Sequence, residues 1–262
     1  MNASPSLDAR SRGHDTGALA SRRVVDAPTR AFHWLFALSF AGAYVTAESE
    51  HWRLLHTTLG YVFAGLLAFR LVYGLVGPRH AGLALLWRKL TVAPSWLKSL
   101  RGAPSLAAVR WRPGQNLGMA LAVATMIALA VPLALTGLAA DGGWGGALAG
   151  DAMAELHEFF GSALLLAAGA HLALIALLSV LRGHHQALSM LTGRVPGAGP
   201  SPVSRDRAAL AAMLVLAVIA LGAWRWQDAP RGPRSPQWSA TTLESPARGD
   251  HRDARHARDD DD

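Results

Sequence analysis

The chain has 262 residues, 51% of them hydrophobic, with a formal charge of +7 and no cysteine. The missing thiols exclude disulfides, thiolate-held iron–sulfur clusters, covalently attached c-type haem and cysteine catalysis, so a metal or cofactor has only histidine, methionine, carboxylate or packing to hold it. The positive charge argues for no nucleic-acid role, because the basic residues sit in loops beside long apolar runs, where they orient a membrane protein.

In chain order, residues 1–25 form a polar, Ser/Arg-rich tail without the apolar centre of a cleavable signal peptide. Apolar runs near the length that crosses a bilayer, about 20 residues, follow at about 31–47, 54–77, 117–140, 153–181 (its apolar part beginning at 159) and 208–224, the last helix extending to 226. The expected fold is an all-α integral membrane bundle: a core over 26–193 made of the first four spans, a loop at 194–207, a fifth span at 208–226, and a disordered polar tail at 227–262 that ends in four aspartates. Asp26 and Pro28 are start signals for the first helix. Pro132 is expected to kink the third span, which has no histidine and is assigned to packing.

Loop charge orients the bundle. Arg10, Arg12, Arg22, Arg23 and Arg30 precede span one, seven basic residues from Arg79 to Arg112 separate spans two and three, and Arg182, Arg194, Arg205 and Arg207 separate spans four and five. By contrast, the loop after span one carries Glu48, Glu50 and Arg53, and the loop after span three carries Asp141, Asp151 and Glu155. The positive-inside rule then puts the N-terminus in the cytoplasm and, after five spans, the C-terminal tail outside, with Trp224 and Trp226 at the outer interface.

Four histidines fall inside this frame. His157 and His171 of span four are fourteen residues apart, which returns the helix to within roughly 40° of the same face about 21 Å further on. His56 opens span two at the outer level, beside His157, and His33 lies near the inner level of span one, beside His171. Two imidazole pairs stacked across a bilayer are what two b-type haems need, since each iron takes one axial ligand from either side of the porphyrin. With both axial positions filled, such iron transfers electrons and binds no substrate. A zinc site or proton path also uses histidines, but the spans lack the carboxylates and cysteines that complete such sites.

Gly60, Gly161 and Gly169 lie near the proposed irons, and Arg70 repeats the fourteen-residue spacing after His56, at the inner level. Arg70 is a candidate partner for a haem propionate or a quinone, Arg30 a second one; the alternative is that Arg70 snorkels to the cytoplasmic surface. His51 is turned away from His56, and His14, His80, His184, His185, His251 and His256 belong to loops or tails and are not assigned to iron.

The segments RAFHWLFAL, LLHTTLGYVFAGLLAFRLVYGLVG and LHEFFGSALLLAAGAHLALIALL resemble the first, second and fourth helices of the bacterial cytochrome b561 family, di-haem membrane cytochromes related to the cytochrome b subunits of nickel–iron hydrogenases. The resemblance covers about residues 22–193. It implies a four-helix core in the bacterial inner membrane holding two non-covalent haems b, with His33, His56, His157 and His171 as axial ligands. It also implies electron exchange between quinone and a soluble cytochrome or oxidoreductase partner, with no catalytic residue of the chain's own. Two other readings stand beside it: a haem-binding anchor subunit of an oxidoreductase complex, and a haem-free metal-ion transporter using the same histidines. The fifth span and the outer tail have no counterpart in the resemblance.

Overall fold

The first helix, α1 (Ala27–Thr46), begins where its cap dictates: Asp26 is extended, its side chain accepts the Thr29 amide, and Pro28 sits in the first turn. In the computed structural model, which describes residues 21–143, 146–183, 185–197 and 199–228, helices α2 (Arg53–Val76), α3 (Leu83–Leu90), α4 (Ala93–Arg101), α5 (Trp111–Asp141), α6 (Gly146–Arg182), α7 (Leu188–Thr192) and α8 (Ala208–Gln227) follow. The expected tail segments with Arg10, Arg12, His14, His251, His256 and the aspartate run lie outside the described residues, as does His184.

Helix α1 packs on α2 and α5 on α6, α2 joins the two pairs through α5, and α8 lies against α1 and α2. The core is the cluster of Phe63, Leu67, Ala130, Leu133 and Leu164, with Phe36 and Phe40 packed against it. Phe36 and Phe63 stack with ring centres 4.2 Å apart. Leu164, 3% exposed, is seven residues from both His157 and His171, so the packed centre falls midway between the two histidine levels. Outside it, Leu38, Val45, Leu75, Val76, Leu166, Val180, Leu216 and Ile219 are exposed. Helices that turn leucine and valine outward on this scale are solvated by lipid, whose core leaves only internally bonded backbone. The protein is an all-α membrane helical bundle.

Among the described residues, four helices, within Glu50–Val76, Trp111–Asp141, Gly150–Arg182 and Ala208–Gln227, are long and apolar enough to cross a membrane. The first expected span is the exception: α1 has the length, at twenty residues, but Thr29, Arg30 and His33 in its first two turns lower its apolar content. It lies beside α2 and α8. The helices of spans three and four also start earlier than their apolar runs, because polar turns such as Trp111–Asn116 continue the helix outside the apolar stretch.

Two features depart from the expected loops. The basic loop after α2 is mostly the short helices α3 and α4, both packed against α5; Trp96 of α4 covers Gly114, where a Cβ would fall 2.3 Å from its ring, and donates to the Arg110 carbonyl at 3.3 Å. Helices of eight or nine residues give too short a pattern to separate from a loop in sequence. Strand β1 (Ser21–Arg23), placed by sequence in the N-terminal tail, pairs antiparallel with β2 (Arg194–Pro196). Gly193 makes this junction: its φ of +73° is a left-handed cap for α7, and its carbonyl accepts the amides of Val24 and Val25.

Candidate functional site

Two levels of histidine are present, one at the acidic end of the bundle, near the α1–α2 and α5–α6 connections, and one at the basic end. At the acidic end His56 of α2 and His157 of α6 face one another with ring centres 6.2 Å apart and planes at 87°. Each ring is held by its Nδ1. That of His56 donates to the Ala43 carbonyl of α1 at 2.8 Å, and that of His157 to the Leu133 carbonyl of α5 at 3.0 Å, with Thr136 Oγ1 at 3.5 Å. A carbonyl only accepts, so both protons sit on Nδ1 and both Nε2 atoms keep their lone pairs for a metal. Such outer bonds orient ligand imidazoles and raise their basicity.

Both rings line a cavity of about 640 Å³ shared with Gly60, Gly137 and Gly161, a volume in the ordinary range for small-molecule sites, about 300–1,000 Å³. Gly137 is the tightest of these: a Cβ there would lie 2.7 Å from His157 Cε1 and 3.0 Å from its Nδ1. Helix α5, which sequence assigned to packing alone, therefore contributes a carbonyl, a hydroxyl and a gap to the setting of His157. A carbonyl and a missing side chain leave no chemical signature in a sequence.

At the basic end His33 of α1 and His171 of α6 are half-buried and within electrostatic reach of each other. The Nδ1 of each is buried without a hydrogen-bond partner, which ordinary interiors avoid. Among the described residues no three His, Asp or Glu groups come together to hold an ion. Paired imidazoles suit a metal whose other positions are already filled, as a macrocycle fills them.

The sequence's arginine candidates have protein partners here. Arg70 Nη1 donates to the Ala81 carbonyl at 3.1 Å, passing over Gly74, and feels the charge of Asp26. Arg30 pairs with Asp206 at 3.4 Å and donates to the Leu191 carbonyl, while its Nε is buried and unpartnered. His51 is exposed and edge-on to Trp52, and His185 is exposed. His80, set aside as a loop residue, lies 3.1 Å from Asp26 Oδ2. The fifth helix touches the acidic-end level: Arg225 of α8 lies over the Tyr61 ring at 4.6 Å and donates to Thr57 Oγ1 at 3.3 Å, and Tyr61 donates to Asp141 at 2.8 Å.

Comparison with curated proteins and with solved structures yields no match. The family model described as prokaryotic cytochrome b561 matches residues 24–193, the stretch that contains α1, α2, α5, α6 and all four paired histidines but not α8. The chain belongs to the prokaryotic cytochrome b561 family, membrane cytochromes that transfer electrons across the bilayer through haem.

Proposed function

We propose that the chain carries two haems b, one between His56 and His157 and one between His33 and His171, and passes electrons between the quinone pool and a soluble or membrane redox partner. The observation that carries this reading is the His56–His157 pair, with ring centres 6.2 Å apart and both Nδ1 atoms bonded to carbonyls. A metal bonded to two imidazoles at about 2 Å sets their ring centres about 6 Å apart, so the residues fit the group. The buried, unpartnered Nδ1 atoms of His33 and His171 support a ligand at the second level, since ordinary interiors satisfy such groups. When bound, each haem supplies a one-electron ferric–ferrous couple. The chain's own residues would hold it, His56 and His157 at one level and His33 and His171 at the other, with the Phe36, Phe63 and Leu164 layer packed between the two levels. Lipid-facing helices expose the carrier to quinones dissolved in the same layer.

The basic end, with Arg79, Arg88, Lys89 and Arg194 around it, is cytoplasmic on the positive-inside rule, in a bacterial inner membrane, and the acidic end is periplasmic. Arg70 is the cation proposed for a propionate at the basic-end haem, in addition to its bond to Ala81. Arg70→Ala should retain both haems and lower one midpoint potential by on the order of tens of millivolts, the effect of one charge at roughly 10 Å in an effective dielectric near 20; an unchanged potential assigns Arg70 to the loop alone.

The purified protein, reduced with dithionite, should show a b-type α-band and about two haems per chain, the count that two ligand pairs require. A flat visible spectrum in protein expressed with adequate haem would overturn this reading and favour ion transport.

A further inference from the structure

Asp26 is the one fully buried carboxylate among the described residues, at 0% exposure. Capping α1 uses only its Oδ1, which accepts the Thr29 amide at 3.3 Å. Its other oxygen collects a second set of partners from three further places in the chain: the Tyr73 hydroxyl of α2 at 2.5 Å, His80 Nε2 of the α2–α3 loop at 3.1 Å, and Arg207 Nη1, ahead of α8, at 3.7 Å. Arg70 of α2 adds its charge. Asp206, paired with Arg30 of α1, accepts the Ala27 amide at 3.0 Å. Arg207 holds its place at φ 50°, a left-handed conformation that costs a non-glycine residue energy. A cavity of about 390 Å³ lined by Tyr73, Arg207, Pro78 and Leu210 adjoins the cluster, and the His80 side chain is 17% exposed. The buried carboxylate therefore has an outlet at the basic end. It is seven residues before His33, nearly the same helix face and about 10 Å along α1.

We propose that the Asp26–His80 pair is a proton-binding site coupled to the electron on the basic-end haem, His80 taking a proton on Nδ1 when that haem is reduced and giving it back on oxidation. This rests on the haem reading above. Burial pushes the Asp26 carboxyl up, but the bonds from Thr29, Tyr73 and His80 outweigh it and hold the group below the usual carboxylate range. Its charge is lost only as pH falls through that lowered value, so Asp26 stays ionised at neutral pH, and the group placed to exchange a proton is the partly exposed imidazole beside it. An ionised carboxylate only accepts, so His80 presents Nε2–H to it and keeps Nδ1 free. With neutral His80, the arginines Arg30, Arg70 and Arg207 outnumber Asp26 and Asp206 by one charge, and this surplus opposes a further proton. One electron from the reduced redox partner cancels one positive charge at the iron. One proton from water at the basic end then binds His80, and the local charge is restored.

The test is a spectroelectrochemical titration of the purified holoprotein from about pH 5.5 to 8.5, which brackets the imidazole range. The His56→Ala background leaves the basic-end haem to be read alone. Its midpoint potential should fall as pH rises. His80→Gln, whose amide still donates to Asp26, should flatten that slope and abolish proton uptake on reduction, seen with a pH dye, while haem content stays the same. Tyr73→Phe removes a donor but no exchanging proton, and should keep the slope. A pH-independent wild-type potential, or an equal slope in His80→Gln, overturns the inference while leaving the two-haem reading intact; absence of haem overturns both.

Discussion

His157→Ala is expected to halve the haem content, and His56→Ala to remove the same haem. The two rings line one cavity from opposite helices, so on the proposed ligation removal of either would cost the haem one ligand and one wall of its site. The double variant should lose no more than either single one, because residues acting as a unit are not additive. His33→Ala and His171→Ala should remove the other haem with the same equivalence, and His33→Ala combined with His157→Ala should leave none. Haem per chain by the pyridine haemochrome method, with electron paramagnetic resonance to separate the two proposed centres, checks each variant. The pairing fails if His33→Ala and His157→Ala abolish a common signal.

The helices and the two histidine levels were legible in the sequence because both rest on periodicity. An apolar run of membrane length admits only a helix, and a fourteen-residue interval puts His157 and His171 on one face whatever surrounds them. The meeting of His56 with His157 follows from the alternating direction of the spans and the depth of each histidine, and the structure brings those rings together. What was hidden is carried by atoms without a chemical label. The carbonyls of Ala43 and Leu133, which fix the imidazoles, look like any others in a helix, and proximity across helices decides which ones matter. Asp26 was legible as a cap, for which one oxygen suffices; the partners of its second oxygen come from positions 47, 54 and 181 residues further along. In sequence His80 falls in a loop, and loops ordinarily face water. The rule fails here because the chain turns back after α2 and lays His80 against the start of α1.

Helix α8 shows the same limit. Its sequence is apolar around its circumference, which says that it sits in lipid and nothing about what it touches. At the acidic-end level its Arg225 reaches the core, at the end where the apolar run gives way to tryptophans. An arginine there reads as an interfacial anchor in sequence. In the structure it also clamps Tyr61, a wall of the His56–His157 cavity, so the helix outside the family match is mechanically joined to the core.

Gly137 offers the sharpest separation of packing from function. A glycine inside a helix normally costs about 1 kcal/mol against alanine, so Gly137→Ala ought to stabilise α5 if the position had only a structural role. The Cβ it adds would lie 2.7 Å from His157 Cε1 and 3.0 Å from Nδ1, on a ring already fixed to the Leu133 carbonyl. The ring must shift by a few tenths of an ångström or surrender that bond, which is worth about 1 kcal/mol. The expected result is that Gly137→Ala keeps both haems but changes the potential and the electron paramagnetic resonance signal of the His56–His157 centre. Gly137→Leu, whose side chain has no room beside the imidazole, should lose that haem and keep the other. Gly222→Ala in α8, where a Cβ meets nothing within 4 Å, is the control and should alter neither centre. If Gly137→Leu retained two haems with unchanged spectra, His157 would not be held where α5 holds it, and the acidic-end ligand pair would have to be sought elsewhere.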